Sequence, residues 1–181
     1  MEKLIYDDWF KFSDDKVKLN PIEDLKEYIL GQIEKNKDKN LTISIGTDAL
    51  IHSVSGNKLK GKEKFKESKK ERVISYLTVI VFSSGNNGSH VIIRREKQKH
   101  TGFVPTVIKL NGEISLTSKL ALWIEEVIGI KVQIHLDLNP KKNTGSFEVY
   151  SYINGYFESL GFITFYKPNS GAATSAADYF L

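Results

Sequence analysis

The sequence predicts one α/β domain spanning residues 1–181, built on a five-stranded mixed sheet with helices on both faces and an extra helix near the N-terminus. Three observations lead there. Three strand-patterned segments come first, the last two joined by "SGNNGS", a glycine and asparagine hairpin signal. Two helix-then-strand units follow, the pattern of crossover connections to parallel strands. No internal repeat and no Pro, Gly or Ser-rich linker divides the chain.

The first helix is expected from Pro21 to about Asn36. Asn20 offers an N-cap, Pro21 suits the first helical position, and Glu23 and Asp24 complement the positive end of the dipole. Ile22, Leu25, Ile29 and Ile33 then recur at helical spacing. Strands are expected at Leu41–Asp48, Val73–Ser83 and His90–Arg95. Pro105 opens a helical region that runs to Ile128 and is closed by Gly129. A strand at Lys131–Leu138, a helix from about Ser146 to Leu160 with Gly161 as its stop, a strand at Phe162–Tyr166 and a short helix from about Gly171 to Phe180 complete the chain.

Composition narrows the function classes. The chain has no cysteine, which excludes disulfides, zinc–thiolate sites and a cysteine nucleophile and suits a reducing compartment. The start, "MEKLIYDDWFKFSDD", lacks a basic region followed by an apolar stretch, so a cytoplasmic protein is expected. Net charge is +4, but Gly56–Arg72, "GNKLKGKEKFKESKKER", holds eight Lys or Arg against three Glu, a net of +5 that leaves −1 for the other 164 residues. This insert, residues 56–72, reads as a solvated loop, with an electrostatic arm on phosphates as the other reading.

Candidate chemistry comes from carboxylates. "KVQIHLDL" alternates strictly, so Val132, Ile134, Leu136 and Leu138 point one way and Gln133, His135 and Asp137 the other. In "LTISIGTDA" the apolar Leu41, Ile43 and Ile45 alternate with Thr42, Ser44, Gly46 and Asp48, and Asp48 falls where the strand is expected to end. On the helix between them, Glu113 shares a face with Leu116, Thr117, Leu120 and Ile124, while Glu125 and Glu126 point away. A carboxylate on an inward face is costly without a partner. Three such groups at one place disfavour joint ionisation, and the usual remedy is a hard divalent cation. Each acid also has a plainer reading: Asp48 and Asp137 as turn-formers or caps, and Glu113 as first-turn dipole compensation. His135 is expected to be structural; His52, His90 and His100 show no zinc spacing; Tyr150, Tyr152, Tyr156 and Phe157 are expected to pack rather than stack on bases.

The motifs "IGTDA", "EISLT", "HLDLN" and the tail "YKPNSGAATSAADYF", with the order of elements, resemble the ribonuclease H-like superfamily, and more narrowly the YkuK-type family of bacterial ribonuclease H-like proteins. The resemblance covers about Pro21 to Leu181. It implies the ribonuclease H fold and four acids holding Mg²⁺ (or Mn²⁺), placed here at Asp48, Glu113, Asp137 and Asp178, in a nuclease that cleaves phosphodiester bonds of RNA, DNA or a hybrid by a two-metal mechanism. Asn169 is the other position for the fourth ligand, although an amide cannot supply an anionic one; with Asp178 preferred, Asn169 or Ser170 becomes the helix cap. The alternative is a catalytically inactive module of the same fold that binds nucleic acid or a partner protein. A nucleotide-binding reading of "IGTDA" is weaker, because its loop lacks the glycine spacing that brings N–H groups onto phosphate.

Overall fold

A computed structural model gives the fold and describes residues 7–12, 19–53, 71–85, 88–171 and 176–180. In chain order its elements are β1 (Trp9–Phe12), β2 (Leu19–Ile22), α1 (Leu25–Lys35), β3 (Leu41–Ser53), β4 (Glu71–Ser84), β5 (Ser89–Thr101), α2 (Thr106–Ile128), β6 (Gln133–His135), α3 (Phe147–Ser159), β7 (Ile163–Phe165) and α4 (Ala177–Phe180). They form a mixed sheet in the order β2-β1-β5-β4-β3-β6-β7. The expected antiparallel trio is β3–β4–β5, and β6 and β7 add to it in parallel.

The sheet has seven strands, not five. The two extra ones, β1 and β2, pair antiparallel and join through β1 to Ile92–Arg94 of β5. They also correct the start of the first helix. Pro21 lies in β2 opposite Phe10, and the helix is capped by Asp24, whose side chain accepts from the Glu27 N–H at 3.0 Å. Proline is tolerated in β2 because that strand is the sheet edge, where a missing N–H breaks no ladder bond.

One face carries the main core. Ile43 and Ile45 of β3, Ile80 and Phe82 of β4, Ile92 of β5 and Ile134 of β6 pack under α1, α2 and α3, with Trp9 fully buried among them. On the opposite face Leu77, Val79 and Ile93 pack with Ala177 of α4. Gly129 closes α2 at φ 82°, and its N–H donates to the Glu125 carbonyl, a left-handed cap that glycine enters without a Cβ penalty. Of the lysine-rich insert, Glu71 and Arg72 open β4 and residues 56–70 lie outside the described residues. No helix is long and apolar enough to cross a membrane among the described residues.

Candidate functional site

Asp48 does not end its strand. β3 runs on to Ser53, paired throughout with β4, and Ala49 and Ile51 continue the buried alternation. Asp48 is therefore a mid-strand carboxylate, 5% exposed, and its turn-forming reading fails. Its Oδ1 accepts from the Ala49 N–H at 2.7 Å. The pairing of β6 with β3 stops at Gly46 opposite His135, which leaves that edge of β3 open beside Asp48. There α2 reaches in.

Glu113 sits two turns into α2, 3% exposed, so first-turn dipole compensation fails as well. Lys109, one turn earlier on the same stripe, places its ammonium 3.0 Å from Glu113 Oε1 and 3.3 Å from Asp48 Oδ1. The bond to Asp48 is an aligned hydrogen bond; the contact to Glu113 is an ion pair that leaves Oε1 without an aligned donor. Burial, the largest cause, and the charge of Asp48 push the Glu113 carboxyl up and Lys109 pulls it down, leaving it at about 8. Lys109 is itself held above its ordinary value, because the two carboxylates outweigh its burial. A proton held on Glu113 at neutral pH satisfies both directions: it removes one buried negative charge and leaves Lys109 the cation beside it.

Two features bring α2 this close. Gly112, between Lys109 and Glu113, faces the ring of Tyr76, and a Cβ there would overlap that ring. Behind them a buried hydroxyl chain ties helix to sheet: Thr117 Oγ1 donates to Thr47 Oγ1 at 2.9 Å, which lies 3.1 Å from Thr78 Oγ1. Thr117 is one turn after Glu113 and Thr47 adjoins Asp48, so these bonds fix the relation of the two acids.

Asp137 falls two residues beyond His135 as Asp48 falls two beyond Gly46, so on parallel neighbours the two acids point to the same side of the sheet. The ladder continues past β6: the Leu136 N–H donates to the Phe165 carbonyl, and the Lys167 N–H to that of Leu138. Asp137 Oδ1 meets Lys167 Nζ at 2.5 Å in an ion pair that again provides no aligned donor. The following turn is built by Asn139, whose Oδ1 accepts from the Lys141 N–H at 3.0 Å, so Asp137 is not the turn-former.

The backbone of Asp178 lies on α4, directly after Ala177, which packs with Leu77, the residue opposite Asp48. Its side chain is outside the described atoms. Asn169 is exposed in a turn closed by its N–H on the Tyr166 carbonyl. The histidines sit in packing roles: the ring of His135 lies 4.8 Å from that of Phe165, and His90 Nε2 lies 2.5 Å from Tyr28 Oη. Phe157 is core, Tyr150 meets Tyr166 edge to face at 4.8 Å, and Tyr152 is exposed.

A model of the family described as ribonuclease H-like matches residues 66–181. The chain belongs to the ribonuclease H-like family. The matched segment contains Glu113, Asp137 and Asp178, while Asp48 precedes it and is related to Asp137 through the β3–β6 pairing and to Glu113 through Lys109. No curated protein and no solved structure matches the chain.

In this ribonuclease H-like protein the residues fit a hard cation in one respect: Glu113 Oε1 and Asp137 Oδ1 are buried oxygens with no aligned hydrogen-bond donor, Asp137 on the side of the sheet that Asp48 shares and Glu113 reaching Asp48 through Lys109. No three Asp, Glu or His side chains among the described residues are close enough to form one ligand set. Lys109 and Lys167 were missed from the sequence. Lys109 was legible as a lysine four residues before an inward glutamate; Lys167 carries no local signal, since only the β6–β7 pairing brings it to Asp137.

Proposed function

We propose that this protein is a divalent-metal-dependent nuclease acting on phosphodiester bonds of nucleic acid, with Asp48, Glu113, Asp137 and Asp178 as the ligands of Mg²⁺ or Mn²⁺. The observation that carries the reading is the buried Asp48–Glu113 pair sharing one cation, Lys109. Family membership supports a nucleic-acid-related role. A divalent ion bound there supplies the charge that lowers the pKa of a water and neutralises a leaving oxygen. The chain's own groups do the rest. Asp48 and Glu113 offer oxygen ligands held in place by the Thr47–Thr117 bond. Lys109, released from the carboxylates, leaves a positive charge beside the phosphate.

The experiment is a cleavage assay with Mn²⁺ on RNA, DNA and hybrid. Asp48→Asn should abolish turnover while binding of the nucleic acid survives. Absence of cleavage on all three substrates would overturn the reading. The second reading, a catalytically inactive nucleic-acid or protein-binding module, is favoured by one observation: Lys109 and Lys167 already neutralise the acids. It expects binding without metal and no effect of Asp48→Asn on that binding.

A further inference from the structure

The hairpin of β4 and β5 continues past the part of the sheet that β1 and α4 cover. Among the described residues β1 pairs with β5 only at Ile92–Arg94, and none pairs with the far side of β5 from Arg95 to Thr101. The two faces of this end differ. On one, Ile51, Ile74 and Tyr76 are buried with Val104 and Leu116. On the other, Leu50, His52, Val73 and Ser75 are only half-buried, and Arg95, Lys97 and Lys99 are exposed. The registers align these residues in rows running toward the acids: Asp48–Leu77–Arg95, then Leu50–Ser75–Lys97, then His52–Val73–Lys99.

From this we infer that the face of the β4–β5 extension carrying Arg95, Lys97 and Lys99 is a track for the sugar–phosphate backbone of a nucleic acid, laid along β5 and leading past Asp48. Successive basic residues two apart on a strand stand about 6.8 Å apart, or two of the roughly 3.4 Å rises of a stacked nucleic-acid strand. The row nearest the acids puts Arg95 two strand spacings, about 10 Å, from Asp48 on the same side of the sheet. Glu71, at the far end, is the acid this face presents between residues 71 and 75. Basic residues on an edge also blunt strand-to-strand aggregation, and that role needs no ligand. Positive charge regularly spaced on the side that Asp48 and Asp137 share, with apolar Leu50 and Val73 only half covered beside it, favours a polyanion with bases to pack there over a merely solvated edge.

The inference rests on the nucleic-acid half of the proposed function and not on metal or cleavage. Its test is the binding of a labelled single-stranded RNA oligonucleotide in EDTA, by fluorescence anisotropy, across about 50 to about 200 mM salt. Lys97→Gln/Lys99→Gln, both at exposed positions, should keep the urea midpoint of the wild type. It should also make the slope of log K against log salt shallower by about 1.4, two phosphate contacts at about 0.7 each on a single strand. An unchanged slope in the variant overturns the track and leaves the lysines as edge protection. Wild-type protein that binds polyglutamate but not RNA overturns it in favour of an acidic protein partner, and binding to neither overturns it outright. A nuclease assay that fails while the slope shift appears sinks cleavage and keeps the track.

Discussion

Glu113 is a carboxyl that burial holds in its protonated form, and this has a sign that experiment can read. Its folded value of about 8 lies above the ordinary 4.5, so between those limits the folded chain binds more protons than the unfolded one. Stability from this group is fully present below about 4.5 and is lost as pH rises through about 8. Glu113→Gln keeps the shape of the neutral acid and should flatten that part of the profile. Urea unfolding from pH 5 to pH 9 checks it: wild type should lose stability relative to the variant toward the alkaline end. His90 and His135, both lowered by burial, act in the opposite sense below pH 6.5 and are common to both proteins. Lys109→Met leaves Asp48 buried without its counter-charge and should cost about 3 kcal/mol. Added Mn²⁺ should raise the melting temperature of this variant more than that of the wild type, and an equal or absent shift would speak against a cation site between the two carboxylates. Residue by residue, the inward face of Glu113 and the place of Asp137 on the non-apolar side of its strand were legible, because periods of 3.6 and 2 fix which side chains point together. Their partners were less so. Lys109 needed only the i,i+4 rule, whereas Lys167 needed the pairing of strands.

Among the elements, α2 decides the site. Its limits were readable from Pro105 and Gly129, and its inward stripe from spacing. What could not be read was how near it lies to β4, since that depends on Tyr76 lying over Gly112. A helix-interior glycine ordinarily costs about 1 kcal/mol against alanine. Here Gly112→Ala should destabilise by about 1–3 kcal/mol despite the better helix propensity, because the added methyl meets the ring. Combining it with Tyr76→Leu should recover part of that loss in a double-mutant cycle, and strict additivity would show that the two positions do not touch. β3 teaches the converse. Its alternation continues through Ala49 and Ile51, yet Asp48 reads as a terminus because a charge in mid-strand is rare. The open edge left where β6 departs is what makes the charge tolerable, and that edge is a property of the sheet.

For the molecule as a whole, the α/β class, the antiparallel trio and the two crossover strands were all legible from element order. The two N-terminal strands were not: they are four residues each, and Asn20-Pro21 mimics a helix start. Their anchor is Trp9, fully buried against the main core, while Arg94 donates from Nε to the Asp7 carbonyl at 3.1 Å. Trp9→Ala should therefore cost about 3–5 kcal/mol in global urea unfolding. A loss under about 1 kcal/mol would mark β1 and β2 as an appendage rather than part of the domain. The central claim is that the sheet and α2 gather distant acids into a place built for a cation, and calorimetric titration of the wild type and Asp48→Asn with Mn²⁺ tests it most directly. The account predicts a saturable heat in the wild type, stronger at pH 8 than at pH 6 because Glu113 must release its proton, and its loss in Asp48→Asn. No heat in the wild type, or the same heat in both proteins, would contradict it.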